Sequence, residues 1–363
     1  MSDLRIGIDF GPTTARAAWV EGETSVLLET PVGQNAFPTV VGLDKKGALH
    51  VGETARRQLL LFPERTAHKL RRLLGTTHRF ELDHKPFSPT ELCAVVLSQI
   101  RDFAEERLGQ PVQGATIAVP CHFAPEQHQD LIGAARLAGF RLAQTVLEPL
   151  AVARAHALSP RQALGPVLVV DMGATHIEST VLLAQQNKWS VLATACRETG
   201  SSLCEERLIE HLERSLLAKY GLPGFSQHKM QLRLRLAAEW AKVRLSQMEQ
   251  VTVRLPAVPT PAHKPMNTEA WADLETVVSR EQLALLVEDD LRPALEVIDL
   301  ALRQARVSKT ALFAVLLSGG AMRLPLLQQM VAAQTVTRVW PCPAPEETIA
   351  RGAAHLAVRA ESS

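Results

Sequence analysis

The sequence predicts an α/β protein built from two related lobes, and two observations support this. Apolar strand-like runs alternate with segments of helical periodicity along the chain, which is typical of sheets covered by helices. In addition, Ile6–Gly11 and Val169–Gly173 have the same design, in which a buried strand delivers an aspartate and then a glycine turn. Glycine often follows a strand, so duplication and coincidence both stay open on this pattern alone.

The first half of the chain has the pattern of a strand meander followed by helices. Strands are predicted at Leu4–Phe10, Ala15–Val20, Ser25–Leu28 and Ala115–Val119. Helices are predicted at Pro89–Leu108 with Ser88 as N-cap, at Pro125–Ala138 before Gly139, and at Glu148–Ala157.

The second half repeats the alternation with longer helices. Strands are predicted at Val167–Val170, Val251–Leu255 and Leu312–Leu317. Helices are predicted at Leu203–Lys219, Met230–Glu249 and Ser279–Ala305, and another opens at Pro325. Pro293 predicts a break in the third of these, and the Pro-, Thr- and His-rich residues 256–271 predict a loop.

Composition and charge restrict the classes of partner. The chain has 363 residues, 46% of them hydrophobic, which is enough for a large core and more than one domain. Its net charge of +1 gives no reason to expect a nucleic acid or a membrane as partner. The N-terminus lacks the apolar stretch of a signal peptide, and the five cysteines form no CxxC or metal spacing. We therefore expect free thiols and a cytoplasmic location.

The two aspartate–glycine turns have a chemistry in common. Glycine lets the backbone come close to a ligand, and successive backbone N–H groups can hold phosphate oxygens. An aspartate at the strand end, as at Asp9 and Asp171, can hold Mg²⁺, usually through water. Two such turns facing each other would hold a triphosphate and its metal, which is sufficient for phosphoryl transfer.

Two further segments have polar patterns with two interpretations each. Ser318-Gly319-Gly320 before Arg323 is either an anion-binding turn, with a guanidinium able to stack on a base, or only a tight turn. On a helix, Glu239, Lys242 and Ser246 would share one face. They would either contact a ribose and a base, or form an ordinary surface ion pair.

In chain order these segments resemble the motifs of the DnaK-type (seventy-kilodalton heat-shock) chaperone family, within the actin, hexokinase and chaperone superfamily. The likeness is carried by IGIDFGPTTARAAWV, FPTVVGLDKKGALHVGETARRQ, ATIAVPCHFAPEQHQDLIGAARLAGF, LEPLAVARA, VLVVDMGATHIEST, AAEWAKVRLS, LLSGGAMRLP and PAPEETIARGAAHLA. The resemblance implies an actin-like ATPase fold, in which two lobes each have a central mixed sheet flanked by helices, plus two smaller subdomains. It also implies ATP or ADP with Mg²⁺ between the lobes.

The resemblance assigns a role to each matching position. Asp9 and Asp171 would hold Mg²⁺ through water, Glu148 would orient the attacking water, and Arg71 stands at the family's catalytic lysine. The phosphate contacts would be Gly11, Pro12, Thr13, Gly173, Ala174, Thr175 and Gly200. The adenosine contacts would be Glu239, Lys242, Ser246, Gly319, Gly320, Arg323 and Glu346.

Several phosphate-side positions depart from the family pattern. Pro12-Thr13 replaces Thr-Thr, Arg71 replaces lysine, and the glycine-rich second loop is here Gly173–Glu178, with His176 at the threonine. The later Gly-Gly-Glu-Asp-Phe-Asp segment is also altered, at Gly200–Glu205. The changes predict that nucleotide binding survives while hydrolysis is slow or absent. The opposing interpretation is that Arg71 and Thr175 compensate.

The expected layout and function follow from this resemblance. Lobe I would comprise residues 1–165, with a small subdomain at about 38–88, completed by a C-terminal helix at 345–363. Lobe II would comprise residues 166–344, with a small subdomain at about 205–280, and no peptide-binding domain would follow. We expect a DnaK-like, chaperone-related ATP-binding protein acting through unidentified protein partners. The alternatives are a non-hydrolysing nucleotide-dependent scaffold and a small-molecule kinase of the same superfamily.

Overall fold

The computed structural model describes residues 4–220, 228–260 and 270–359. Up to residue 155 the elements are β1 (Arg5–Phe10), β2 (Thr14–Glu21), β3 (Thr24–Leu27), β4 (Phe37–Pro38), β5 (Val41–Leu43), β6 (Leu49–Val51), α1 (Glu53–Leu61), β7 (Thr66–Ala67), β8 (Phe80–Leu82), β9 (Lys85–Phe87), α2 (Pro89–Leu108), β10 (Gly114–Val119), α3 (Pro125–Leu137), β11 (Leu142–Leu147) and α4 (Glu148–Ala155). From residue 167 they are β12 (Val167–Met172), β13 (Ile177–Gln185), β14 (Lys188–Arg197), α5 (Ser202–Tyr220), α6 (His228–Leu245), β15 (Gln250–Thr260), β16 (Ala270–Ser279), α7 (Arg280–Ala305), β17 (Ala314–Ser318), α8 (Pro325–Thr335) and α9 (Thr348–Arg359).

The strands form two mixed main sheets. The N-terminal sheet has the order β11-β10-β1-β2-β3, with β4 also paired to β2, and the C-terminal sheet has the order β14-β13-β12-β17. Within the described residues the remaining strands form a three-stranded sheet, β6-β5-β7, and the two hairpins β8–β9 and β15–β16. The predicted α/β class with mixed sheets flanked by helices is therefore confirmed.

The centres of the two main sheets repeat the same arrangement. Strand β1 is antiparallel to β2 and parallel to β10, and strand β12 is antiparallel to β13 and parallel to β17. In the antiparallel register Asp9 pairs with Arg16 and Asp171 pairs with Glu178, each seven residues further along the chain. The duplication that the sequence only suggested is therefore present in the strand topology around both aspartates.

The last helix packs on the N-terminal sheet, and its residues Ile349 and Ala353 also belong to a buried cluster that includes strands β12 and β17 of the C-terminal sheet. Helix α9 packs against β1, β2, β10 and α4. Two glycines permit this close approach. A Cβ at Gly7 would lie 1.9 Å from Ala354 N, and a Cβ at Gly352 would lie 1.8 Å from Ala151 O. The C-terminal helix is therefore part of the layer that covers the N-terminal sheet.

Helix capping follows the sequence signals. Ser88 caps α2, because its Oγ accepts the Glu91 N–H at 3.2 Å while the Glu91 carboxylate accepts the Ser88 N–H at 2.7 Å. Ser279 and Gln282 form the same arrangement at the start of α7. In both cases side chains satisfy backbone donors that the first helical turn leaves without partners.

Three sequence predictions about the second half were wrong in detail. Helix α7 continues through Pro293, because its buried apolar face packs on the C-terminal core and outweighs the lost backbone hydrogen bond. Residues 256–260 and 270–271 are strand rather than loop, in a two-stranded sheet with a register shift between Leu255 and Val258. Residues 261–269 lie outside the described residues. Helix α6 ends at Leu245 rather than at residue 249.

Candidate functional site

A cavity of about 440 Å³ lies between the two main sheets, and both aspartate–glycine turns line it. Its size is within the usual range for small-molecule sites. Fourteen of the sequence-predicted site residues line this cavity, and they are Asp9, Gly11, Pro12, Thr13, Arg71, Glu148, Asp171, Gly173, Ala174, Thr175, Lys242, Gly319, Gly320 and Glu346. The fold thus brings together positions that are more than 300 residues apart in the chain.

The two turns have the same backbone hydrogen bond. The Gly11 N–H donates to Thr14 O at 3.0 Å, and the Gly173 N–H donates to His176 O at 3.0 Å. Each bond closes a tight turn at the end of the strand that carries the aspartate. The backbone of both turns therefore lines the cavity. Backbone N–H groups in such turns can hold an anionic group.

Three carboxyl groups between the turns have raised pKa values. Burial raises the pKa of Glu148 to about 8, even though Arg71 acts in the opposite direction, and repulsion from Asp171 and Asp9 adds to the effect. Burial likewise raises the pKa of Asp171 to about 7 and raises the pKa of Asp9. Burial therefore disfavours the charged forms of these carboxyl groups, and a bound cation would offset that cost.

Arg71 is the basic residue that pairs directly with Glu148. It lies in a 3₁₀ turn, Leu70–Leu73, and its Nη1 donates to Glu148 Oε1 at 2.9 Å. Both side chains are largely buried, at 15% and 7% exposure. A planar guanidinium held this way has less freedom to follow a moving phosphate than an ammonium on a flexible stem.

The carboxylates fit a divalent cation held through water. Asp171 Oδ1 is buried and has no hydrogen-bond partner within the described residues, so it has a free acceptor position. No group of three or more His, Cys, Asp or Glu side chains in the described ranges converges as a direct ligand set. Asp9 and Asp171 offer carboxylate oxygens of the kind that a small, strongly hydrated ion contacts through its water ligands.

Four of the predicted adenosine residues, Lys242, Gly319, Gly320 and Glu346, line the same cavity. Lys242, on α6, donates to Ser201 Oγ at 3.1 Å and also pairs with Glu205. Gly320 begins a 3₁₀ turn after β17, and a Cβ added there would meet only the Glu346 Cβ, at 3.8 Å. The backbone at Gly320 is therefore not covered by a neighbouring side chain, whereas the Lys242 ammonium is engaged by Ser201 and Glu205.

Four predicted residues do not line the cavity. Arg323 forms a two-point ion pair with Glu346, with its Nε 2.7 Å from Oε2, so its guanidinium is held beside the cavity rather than in it. Glu239 instead accepts from Arg56 at 3.2 Å, across the opening between the two halves. Ser246 follows the end of α6, and its hydroxyl donates to Val243 O at 2.7 Å. Gly200 packs against the backbone of the second turn, where an added Cβ would lie only 2.4 Å from Ala174.

The sequence-based site omitted several polar side chains at the phosphate end. His122 Nδ1 lies 2.8 Å from Glu178 Oε2, and the rings of His122 and His176 stack with centroids 6.2 Å apart. Arg72 pairs with Glu198 at 2.8 Å beside them. All five residues line the cavity. His176 and Glu178 lie in the second loop identified from the sequence, whereas His122, Arg72 and Glu198 join them through the fold alone.

Comparison with known proteins accounts for this arrangement. The family profile described as "Hsp70 protein" matches residues 5–82 and 77–360. The chain belongs to the Hsp70 family. This Hsp70 chain is similar to "Chaperone protein DnaK" of Mycoplasmopsis synoviae, with 31% identity over 330 residues, which is 91% of the chain and 54% of the relative. It is also similar to proteins of the same description from Elusimicrobium minutum and Thermosipho melanesiensis, each 30% identical over 355 residues and 96% of the chain.

The family match identifies the fold. Since the chain belongs to the Hsp70 family, the two-sheet architecture is the actin-like ATPase fold of the Hsp70 nucleotide-binding domain. This Hsp70 chain spans only 54–58% of the length of these relatives. Among the helices that the structure describes, none is long and apolar enough to cross a membrane.

Proposed function

We propose that this Hsp70 chain binds ATP and ADP with Mg²⁺ in the cavity between its two main sheets, and that it hydrolyses ATP slowly. The observation that carries the proposal is the pair of matching aspartate–glycine turns on opposite sides of one cavity of about 440 Å³. Phosphates would contact Gly11, Thr13, Gly173 and Thr175, and Asp9 and Asp171 would hold the cation through water. Bound Mg²⁺ would neutralise charge that develops on the phosphates.

Two sets of residues are proposed to contact the adenosine. Lys242, Gly319, Gly320 and Glu346 line the cavity and would contact the nucleoside directly. Glu239, Ser246 and Arg323 lie at its edge, and their contacts with adenosine require side-chain rotation out of the present hydrogen bonds. Gly200 would act through the shape of the second turn.

Slow hydrolysis is proposed from the phosphate end. Proline at residue 12 lacks a backbone donor, and Arg71 is held by Glu148 at 2.9 Å. Removal of one well-placed donor costs roughly 10²–10³ in rate in other enzymes. These same features favour the second candidate function, a nucleotide-dependent scaffold that does not hydrolyse. We also propose the lobe and subdomain boundaries given above, unidentified protein partners and a cytoplasmic location.

Phosphate release from ATP tests the rate proposal. We expect a steady-state rate well below that of a DnaK chaperone assayed in parallel. The Arg71→Lys variant, which supplies the family's ammonium group, should release phosphate faster by up to roughly 10². Lys69→Arg, in the preceding exposed position, is the matched control for a basic exchange in this segment. A wild-type rate equal to that of the DnaK chaperone would contradict slow hydrolysis, and zero release by both forms would favour the scaffold.

A further inference from the structure

A buried carboxylate holds an imidazole at the phosphate end of the cavity. Glu178, at 7% exposure, places Oε2 2.8 Å from His122 Nδ1. The two residues come from different halves of the fold. His122 follows β10 of the N-terminal sheet, and Glu178 lies in β13 of the C-terminal sheet. This contact therefore crosses the cavity from one half of the fold to the other.

The surroundings of Glu178 determine the tautomer of the histidine. Glu178 Oε1 accepts from the Cys121 N–H at 3.4 Å and from the Thr180 hydroxyl at 3.5 Å. Glu178 Oε2 is the acceptor that faces His122 Nδ1, so Nδ1 is the ring nitrogen that donates. The lone pair of a neutral His122 ring is then on Nε2. Within the described contacts no hydrogen bond occupies that nitrogen, and the side chain is 43% exposed.

The other groups near the phosphate end are less suited to act as a base. Glu148 is only 7% exposed, and its Oε1 is already occupied by Arg71 Nη1 at 2.9 Å. His176 has its Nδ1 against the Thr175 hydroxyl at 2.9 Å and its Nε2 3.8 Å from Glu198. His122 is thus the side chain whose basic nitrogen remains available beside the two turns.

We infer that His122, oriented by Glu178, is the general base that activates the attacking water during ATP hydrolysis, an inference that rests on the proposed function. The water oxygen forms a bond to the terminal phosphorus while the bond from that phosphorus to the bridging oxygen breaks. The electron pair of the broken bond leaves with ADP, and one water proton passes to His122 Nε2. The ring then returns this proton to solvent, so the products are ADP, phosphate and one proton.

Single-turnover phosphate release, with protein in excess over Mg-ATP, tests the inference. We expect His122→Ala to bind ATP within about threefold of wild type by calorimetry but to release phosphate about 10²-fold more slowly, at the lower end of typical general-base effects. Glu178→Gln, which keeps the shape of the side chain, should give a smaller decrease. Added imidazole should partly restore His122→Ala and leave wild type and Glu178→Gln unchanged, because only the alanine variant has space for it.

The control and the contradicting results are distinct. His84→Ala removes an exposed imidazole from the β8–β9 turn and should keep the wild-type rate. Wild-type release from His122→Ala would overturn the general-base role, as would a wild type that binds ATP but releases no phosphate above background. A wild type that does not bind ATP at all would instead overturn the proposed function itself.

Discussion

At the residue scale, the site places carboxylates where their charge is unfavourable without a ligand. Glu148 and Asp171 have ordinary pKa values of 4.5 and 3.8, and burial raises them to about 8 and about 7. Protein interiors rarely keep such groups close together unless a counter-charge binds them. We interpret this unfavourable charge in the free protein as the reason that the site attracts a hydrated cation with its nucleotide.

These raised pKa values predict a pH dependence of stability. Between the unfolded and folded pKa values the folded chain binds more protons than the unfolded chain, so the free energy of unfolding falls as pH rises from about 4 to about 8. Histidines with a lowered pKa, such as His156 and His176, act in the opposite direction up to about pH 6.5, so the prediction concerns the difference in slope between wild type and Glu148→Gln. The thermal midpoint of Glu148→Gln should decrease less steeply with pH than that of wild type, because the variant lacks one of these carboxyl groups.

Differential scanning fluorimetry at several pH values measures this effect. Glu23→Gln, an exchange at an exposed position, is the matched control and should follow the wild-type slope. Saturating Mg-ADP should flatten the wild-type curve, since the cation offsets the carboxylate charge. Parallel slopes for wild type and Glu148→Gln would mean that burial of this carboxyl group does not act as described.

The sequence identified the residues of the two turns but not the His122–Glu178 contact. Asp9 and Asp171 could be predicted because each ends a buried strand and precedes a glycine, a local pattern. His122 and Glu178 are 56 residues apart and belong to different sheets, so only the fold brings them within 2.8 Å. Arg323 was predicted to contact adenosine, but it does not line the cavity, and its pairing with Glu346 depends on the turn Pro345–Glu347, whose Pro345 O accepts the Gly319 N–H.

At the element scale, local signals predicted most strands and helices, and tertiary packing decided the exceptions. The caps at Ser88 and Ser279 agree with the predicted helix starts, since capping is a local effect. The continuation of α7 through Pro293 and the extension of β15 past Pro256 could not be predicted, because packing and edge position permit proline there. Short strands such as β5 and β7 have too few residues for a periodic pattern.

The packing of α9 on the N-terminal sheet gives a prediction at this scale. Gly7→Ala should lower the stability by about 1–3 kcal/mol or more, because the new methyl group would lie 1.9 Å from the backbone of Ala354 and α9 must shift. Urea unfolding measures the change. Gly133→Ala, on α3 with its nearest neighbour at 3.8 Å, is the control and should be neutral or stabilising by about 0.4–1 kcal/mol. Equal stability of Gly7→Ala and wild type would mean that α9 does not pack closely on β1.

At the scale of the whole molecule, two similar halves enclose one site and contact each other around it. Arg72 and Glu198 pair across the cavity at 2.8 Å, and Arg56 and Glu239 pair between the two halves at 3.2 Å. The second pair is partly exposed, so its contribution is small and sensitive to salt. An occupant that contacts both turns would therefore hold the two halves together more strongly than these pairs do.

Calorimetric titration with Mg-ATP and Mg-ADP tests the central claim, that a nucleotide binds between the two aspartate–glycine turns. Gly173→Val provides the sharpest variant, because a Cβ there meets only His176 O, at 4.0 Å, so the branched side chain can occupy the phosphate position without a clash within the fold. We predict one saturable site per chain for wild type and for Gly133→Ala, and no binding for a folded Gly173→Val. Absence of binding by wild type, or wild-type affinity in Gly173→Val, would contradict the account.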